Sequence, residues 1–251
     1  MEIEAIFLDL GNTLRFVKKD AQYQADARQK ITELVGSNED PGVFCAKVDE
    51  RYKEYRKWAF EHMREAPEAE LWTRWLAPEF PVEKIAPLGE ELTYQYRRAN
   101  GIRVLVENGV EVVDTLYRRG YILGIISNLI STREIPEWLN NDGLGHYFKS
   151  VVLSSVLGIR KPDPEIYLTA ARQAGVSPDR CAYVGDNLKR DVTGTRTSGF
   201  GMSIIMLEED ELKDAEINED NRPDAIIIRF DELLGLFPGS PRVNAEKLFS
   251  L

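Results

Sequence analysis

Residues Ala5-Ile6-Phe7-Leu8-Asp9-Leu10-Gly11-Asn12-Thr13 decide how this chain is read. A continuous apolar run ends in a carboxylate, and glycine, asparagine and threonine follow almost at once. A run this short and this apolar reads as a strand buried on both faces, as in a parallel sheet. Asp9 then stands at the carboxyl end of that strand, the end at which open parallel sheets bind their ligands.

Similar runs recur at 3–8, 121–127, 151–154, 181–184, 203–207 and 225–228. From residue 109 they alternate with helical patterns. Val112, Val113, Leu116 and Tyr117 fall on one helical face before Gly120, and Asp163 caps a helix with Pro164 first and Gly175 just past its end. Strand–helix alternation of this kind predicts an α/β domain, a parallel Rossmann-like sheet covered by helices.

The first two runs are more than a hundred residues apart, and the segment between them is helical in pattern. Tyr23, Ala27, Ile31 and Leu34 recur at helical spacing, as do Phe44, Val48, Tyr52, Tyr55, Ala59 and Met63, with a break at 36–42. The expected organisation is an α/β core at 1–17 and 105–237, an inserted helical module at 18–104, and a tail at 238–251.

Composition narrows the function. The chain has 251 residues, 43% hydrophobic and 29% charged, ordinary for a globular protein. Its formal charge of −10 argues against non-specific nucleic-acid binding. Two cysteines, Cys45 and Cys181, and two histidines, His62 and His146, make a disulfide framework or a thiolate or multi-histidine metal site improbable. No apolar run approaches the roughly 20 residues of a membrane helix. The start lacks a basic segment followed by an apolar one, so the expected location is cytoplasmic, with the encoded start as the structural start.

Each strand end carries a polar group. Asp9 follows the first run and Ser127-Asn128 the second. Lys161 follows the third after a short connection, within Gly158-Ile159-Arg160-Lys161-Pro162-Asp163-Pro164. Gly185-Asp186-Asn187 follows the fourth, with Asp191 five residues beyond Asp186. Singly, each has a plain explanation as a turn former, cap or solvated charge. Together, in this order on one rim, they compose a phosphoryl-transfer site. A carboxylate attacking a phosphate dianion needs compensating positive charge, here Lys161 and a magnesium ion on oxygen ligands. Asp9 and Asp186 would ligate the ion, Asp191 would support it, and Ser127 would hydrogen-bond the transferring oxygens.

These motifs closely resemble those of the haloacid dehalogenase-like hydrolases, mostly phosphatases. "FLDLGNT" resembles the first motif with its nucleophile at Asp9, and "GIISN" the second with Ser127. "GIRKPDPEIY" is similar to the third with Lys161, and "VGDNLKRDVTGTRTSG" to the fourth with Asp186 and Asp191. The resemblance covers about 1–17 and 105–230. It implies Asp9 and Lys161 as catalytic groups, Ser127, Asn128 and Lys161 as phosphate contacts, and Asp9, Asp186 and the backbone oxygen of Gly11 as Mg2+ ligands. It also implies a helical cap at the position of the inserted module, and a small phosphorylated molecule as substrate, with no nucleic-acid or membrane partner. The oligomeric state stays open between monomer and homodimer.

Position 11 departs from the pattern. Relatives that are phosphatases carry there a second aspartate, which protonates the leaving group and later activates water; glycine can do neither. Three readings stay open: a working phosphatase, in which water or a cap group stands in for the acid or the substrate has an acidic leaving group; a haloacid dehalogenase-type hydrolase; and a low-turnover phosphate-binding or regulatory protein. Asp20 is the nearest downstream carboxylate. Thr13 is expected to brace the turn after Asp9, and Asn12 to adopt a left-handed conformation there. Tyr52, Tyr55, Trp58, Trp72 and Trp75 are placed where a cap would close, and read first as packing residues.

Overall fold

The computed structural model describes residues 2–239. The expected tail therefore lies, beyond residue 239, outside the described residues. Six strands form one parallel sheet in the order β5-β4-β1-β6-β7-β8. They are β1 (Ala5–Leu8), β4 (Ile122–Ser127), β5 (Phe148–Leu153), β6 (Cys181–Gly185), β7 (Met202–Met206) and β8 (Ala225–Ile227). In β1, Ile6 and Leu8 join the apolar cluster on one face, with Val112, Leu116 and Trp138. Ala5 and Phe7 join the other, with Ile166, Tyr167 and Ala170. Each fully buried Ile, Leu or Phe contributes about 1.5–3 kcal/mol. The unbroken apolar run at the start of the chain is thus the signature of a strand covered on both sides.

β1 lies between β4 and β6, in register Leu8 with Ile125 and Val184. The chain moves outward from β1 through β4 to β5, then returns to the other side of β1 for β6, β7 and β8. The order therefore reverses beside β1, and the crevice at such a switch point is where open α/β sheets bind ligands.

Two sequence expectations are corrected, and one element is new. β5 begins at Phe148 rather than 151 and ends before Ser154, because its first residues alternate buried Phe148, exposed Lys149 and buried Ser150. An edge strand tolerates that outward lysine, which masks the apolar run. Tyr117 does not share the buried face of Val112, Val113 and Leu116 in the helix Gly109–Arg118; it is half exposed and packs edge-on against Tyr147. A two-stranded antiparallel ribbon, β2 (Arg15–Lys18) with β3 (Ile102–Leu105), was not anticipated. Its strands are four residues each and far apart in sequence, so no local pattern announces their pairing.

Between the ribbon strands lie the helices Ala21–Val35, Pro41–His62 and Gly89–Ala99. Asp20 caps the first by accepting the Tyr23 N–H, Gly36 ends it at φ 74°, and Asp40 caps the second. They enclose a separate apolar cluster that includes Ile31, Phe44, Val48, Trp72 and Leu92. Glu65, fully buried, ties this helical region to the sheet region: it accepts a hydrogen bond from Ser154 at 2.6 Å and pairs with Arg160.

Candidate active site at the carboxyl ends of the strands

Asp9 leaves β1 with its N–H still bonded to the Val184 carbonyl, 2.8 Å away, so its position is fixed by the sheet. The chain then folds back on itself, with the Arg15 N–H donating to Leu10 and the Asn12 N–H donating to Arg15. Asn12 has the expected left-handed conformation at φ 54°, and its amide donates to Asp186 at 3.1 Å. Thr13 does not brace this turn through its hydroxyl. Its Oγ1 is buried with no hydrogen-bond partner among the described residues.

Four of the strand-end groups meet directly. Lys161, 1% exposed, places Nζ 2.7 Å from Asp9 Oδ2 and 3.5 Å from Asp191 Oδ1. Nζ also donates to the Tyr183 hydroxyl, which donates in turn to the Ile126 carbonyl. Asp9, Asp186 and Asp191 offer oxygens that all lie within 4.8 Å of one another. Asp191 reaches the cluster from the helix Leu188–Ser198 because residue 185 is glycine; a Cβ there would overlap its carboxylate. Ser127 is buried at the end of β4 and lines, with Asp9, Gly11 and Asp186, a cavity of about 840 Å³.

Asn128 has a structural role that its position alone does not announce. Its Oδ1 accepts the Lys161 N–H at 2.8 Å and its Nδ2 donates to the Lys161 carbonyl at 3.1 Å. Both ends of the amide thus hold the loop that aims the ammonium, while Asn128 also lines the cavity and Nδ2 keeps a second N–H. Asp20 is a helix cap, with no part in the cluster. Of the five aromatic residues singled out, Tyr52 lines the cavity. Tyr55 donates to the buried Glu65 and Trp72 to Thr93, while Trp58 and Trp75 pack on each other.

Sequence reasoning missed Arg190. Its Nη2 lies 3.0 Å from Asp9 Oδ2, 2.8 Å from Asp186 Oδ1 and 2.7 Å from Asp191 Oδ2. One guanidinium nitrogen thus bridges all three carboxylates. The signal was present: Arg190 stands four residues after Asp186, the spacing at which helical side chains pair. Three carboxylates against Lys161 and Arg190 leave one negative charge in excess. Burial, then the neighbouring Asp9, raises the Asp186 carboxyl above its ordinary range. Burial alone would do the same to Asp191, but Lys161 and Arg190 outweigh it and hold that carboxyl below its ordinary range.

The donor set suits a hard divalent cation, since carboxylate oxygens are what Mg2+ prefers. The excess negative charge points the same way. Arg190 shares those oxygens, so a metal ion would have to displace its guanidinium.

Residues 3–199 match the family model of the haloacid dehalogenase-like hydrolases. The glyceraldehyde 3-phosphate phosphatase of Methanopyrus kandleri is 35% identical over 128 residues, 49% of this chain and 54% of that protein. The phosphoserine phosphatase of Thermus thermophilus is 40% identical over 82 residues, 33% of this chain and 32% of that one. The alignments span about half and about a third of these curated relatives' lengths. Among solved structures, a 2-haloacid dehalogenase from Pseudomonas syringae superposes with a TM-score of 0.65 at 20% identity, covering 97% of this chain and 99% of its own. That likeness is one of fold.

Proposed function

Since the chain belongs to the haloacid dehalogenase-like hydrolases, we propose that it is a phosphatase, acting on a small phosphorylated molecule through an aspartyl phosphate on Asp9. The observation that carries this reading is the convergence of Asp9, Lys161, Asp186 and Asp191 beside a cavity that Ser127 also lines. An Asp9 carboxylate oxygen attacks phosphorus, the bond from phosphorus to the ester oxygen breaks, and the leaving oxygen departs as its anion and takes a proton from water. Water then hydrolyses the acyl phosphate, releasing inorganic phosphate and restoring Asp9. Lys161, buried and aimed by Asn128, balances the charge of the incoming phosphoryl group, and Ser127 hydrogen-bonds one of its oxygens.

Mg2+ would be held by Asp9, Asp186 and the Gly11 carbonyl, and when bound it would neutralise charge on the phosphoryl oxygens. Asp191 stands behind them and keeps Lys161 in place. Arg190→Ala removes the cation that shares these oxygens. We expect it to tighten divalent binding roughly tenfold, the equivalent of about 1.4 kcal/mol. Titration of Mn2+ followed by its paramagnetic resonance signal reads this without turnover. An unchanged or weaker affinity would show that the guanidinium does not compete.

Gly11 supplies no proton to a leaving oxygen, so leaving-group acidity should govern the rate. Phosphate release from aryl and alkyl phosphomonoesters, graded by leaving-group acidity and measured with and without Mg2+, is expected to rise steeply along the series. Equal rates for aryl and alkyl esters would point to another acid in the site. The absent acid also favours a second reading, a dehalogenase-type hydrolase, because halide leaves without a proton. Halide release from 2-chloropropionate, with no phosphate release from any ester, would replace the first reading by the second.

A further inference from the structure

Beyond the phosphoryl site, the cavity wall carries more positive charge than its partners neutralise. Arg97, in the last turn of the helix Gly89–Ala99, places Nε 2.6 Å from Glu134 Oε2. Arg15 reaches Glu134 Oε1 at 3.1 Å, and Arg103 stands 3.8 Å from the same oxygen. Three guanidinium groups thus share one carboxylate, and Glu134 and Arg15 are each only 8% exposed. Arg103 gives its remaining close contacts to the backbone carbonyls of Arg97 and Gly101. Buried cations held against one another are costly unless an anion joins them. The cost registers at Arg103, whose guanidinium burial, then Arg97, pull down to about 10. Asp142 is a further acid acting on Arg15.

This surplus faces the reaction centre. Arg97 and Arg103 line the same cavity as Asp9, Gly11, Ser127 and Asp186. A smaller space of about 150 Å³ also joins Gly11 and Ser127 to Arg97, Arg103 and Glu134. Nothing blocks the way at residue 11, since a Cβ built there meets no atom within 4 Å. Of the other acids lining the cavity, Glu50 pairs with Lys53 at 2.6 Å, while Asp49 accepts from the Tyr96 hydroxyl at 2.9 Å and keeps its charge. An anion entering over Gly11 meets guanidinium donors in excess.

We infer that Arg97 and Arg103 form a subsite for a second anionic group, a carboxylate or a second phosphate, on the leaving part of the substrate. The inference rests on the phosphatase reading and names the class of its substrate: a phosphomonoester with a second negative charge. Guanidinium groups suit such oxyanions because their forked donors match the geometry of the acceptor.

The test compares esters of one skeleton, glycerol 3-phosphate and 3-phosphoglycerate, by kcat/KM. The wild-type protein should prefer the carboxylate-bearing ester by roughly tenfold or more. Arg97→Gln and, separately, Arg103→Gln should each bring that ratio toward one, and Arg97→Lys should keep part of it. Thermal melts show whether each variant remains folded, so that a ratio is read only from folded protein. Propanediol bisphosphate in place of 3-phosphoglycerate tells a second phosphate from a carboxylate as the preferred group. Calorimetry supplies an arm free of turnover: phosphonoacetate should bind roughly tenfold tighter than methylphosphonate, and the Arg97→Gln protein should lose the difference. Absence of phosphate release from every ester would sink the phosphatase reading, while the calorimetric ratio would still decide the subsite. A wild-type ratio near one, or a preference that survives both glutamine variants, would overturn the inference and leave the cluster as a tie between the helical region and the sheet.

Discussion

Asp9→Asn is expected to abolish phosphate release, lowering kcat by roughly 10⁴-fold or more, as removal of an attacking group does elsewhere. The amide has nearly the shape of the carboxylate but no anionic oxygen to attack phosphorus, so the covalent step is lost at its origin. The geometry makes the substitution a clean one. The backbone of Asp9 is held by Val184, independently of the side chain, and its Oδ1 only accepts the neighbouring Leu10 N–H. Lys161 and Arg190 each lose one carboxylate and keep another, Asp191. Removing one partner of a buried ion pair costs about 3–5 kcal/mol when the other is stranded; here neither cation is stranded, so the loss of stability should be smaller. Without Mg2+, binding of a phosphonate should survive or tighten, because a negative charge facing the anion has gone. The check is phosphate release beside calorimetric binding of methylphosphonate. Turnover within tenfold of wild type, in folded protein that binds the ligand, would mean that Asp9 is not the nucleophile.

The parts of this site that could be read in the sequence are those whose position follows from one strand alone. β1 is apolar without interruption because Ile6 and Leu8 face one layer while Ala5 and Phe7 face the other. The residue after such a strand must stand on the ligand-binding rim, and the same logic located Ser127 and Asp186, whereas Lys161 lies beyond the connection that follows β5, on a loop held by Asn128. What could not be read depends on pairs from different elements. Arg97, Arg103 and Glu134 come from a helix, a ribbon strand and another helix, and each alone is an ordinary charged residue. Asn128 stands at a strand end like the others, yet that its amide holds the Lys161 backbone depends on a loop 33 residues on. The β2–β3 ribbon is hidden for the same reason: its cohesion lies wholly in a long-range ladder. Strand ends are local information, whereas charge balance is tertiary.

Gly11→Asp is the complementary experiment, since it should add a function rather than remove one. Residue 11 has room for a side chain, and Gly11 is not among the glycines held at positive φ, so an aspartate can be accommodated without backbone strain. Its carboxyl group would enter the space between Ser127 and the Arg97–Arg103 pair. A positioned general acid and base contributes about 10²–10⁴-fold. The gain here should fall at or below the lower end of that range. The guanidinium pair would hold the new carboxylate ionised, which suits the activation of water and works against protonation of the leaving oxygen. Alkyl phosphomonoesters should therefore gain about tenfold to 10²-fold in kcat, and aryl esters much less, flattening the dependence on leaving-group acidity. The same carboxylate would occupy Arg97 and Arg103, so any preference for 3-phosphoglycerate over glycerol 3-phosphate should shrink in parallel. A uniform loss across aryl and alkyl esters would mean the opposite: the space over Gly11 is needed by the substrate itself, and the glycine is there to admit it.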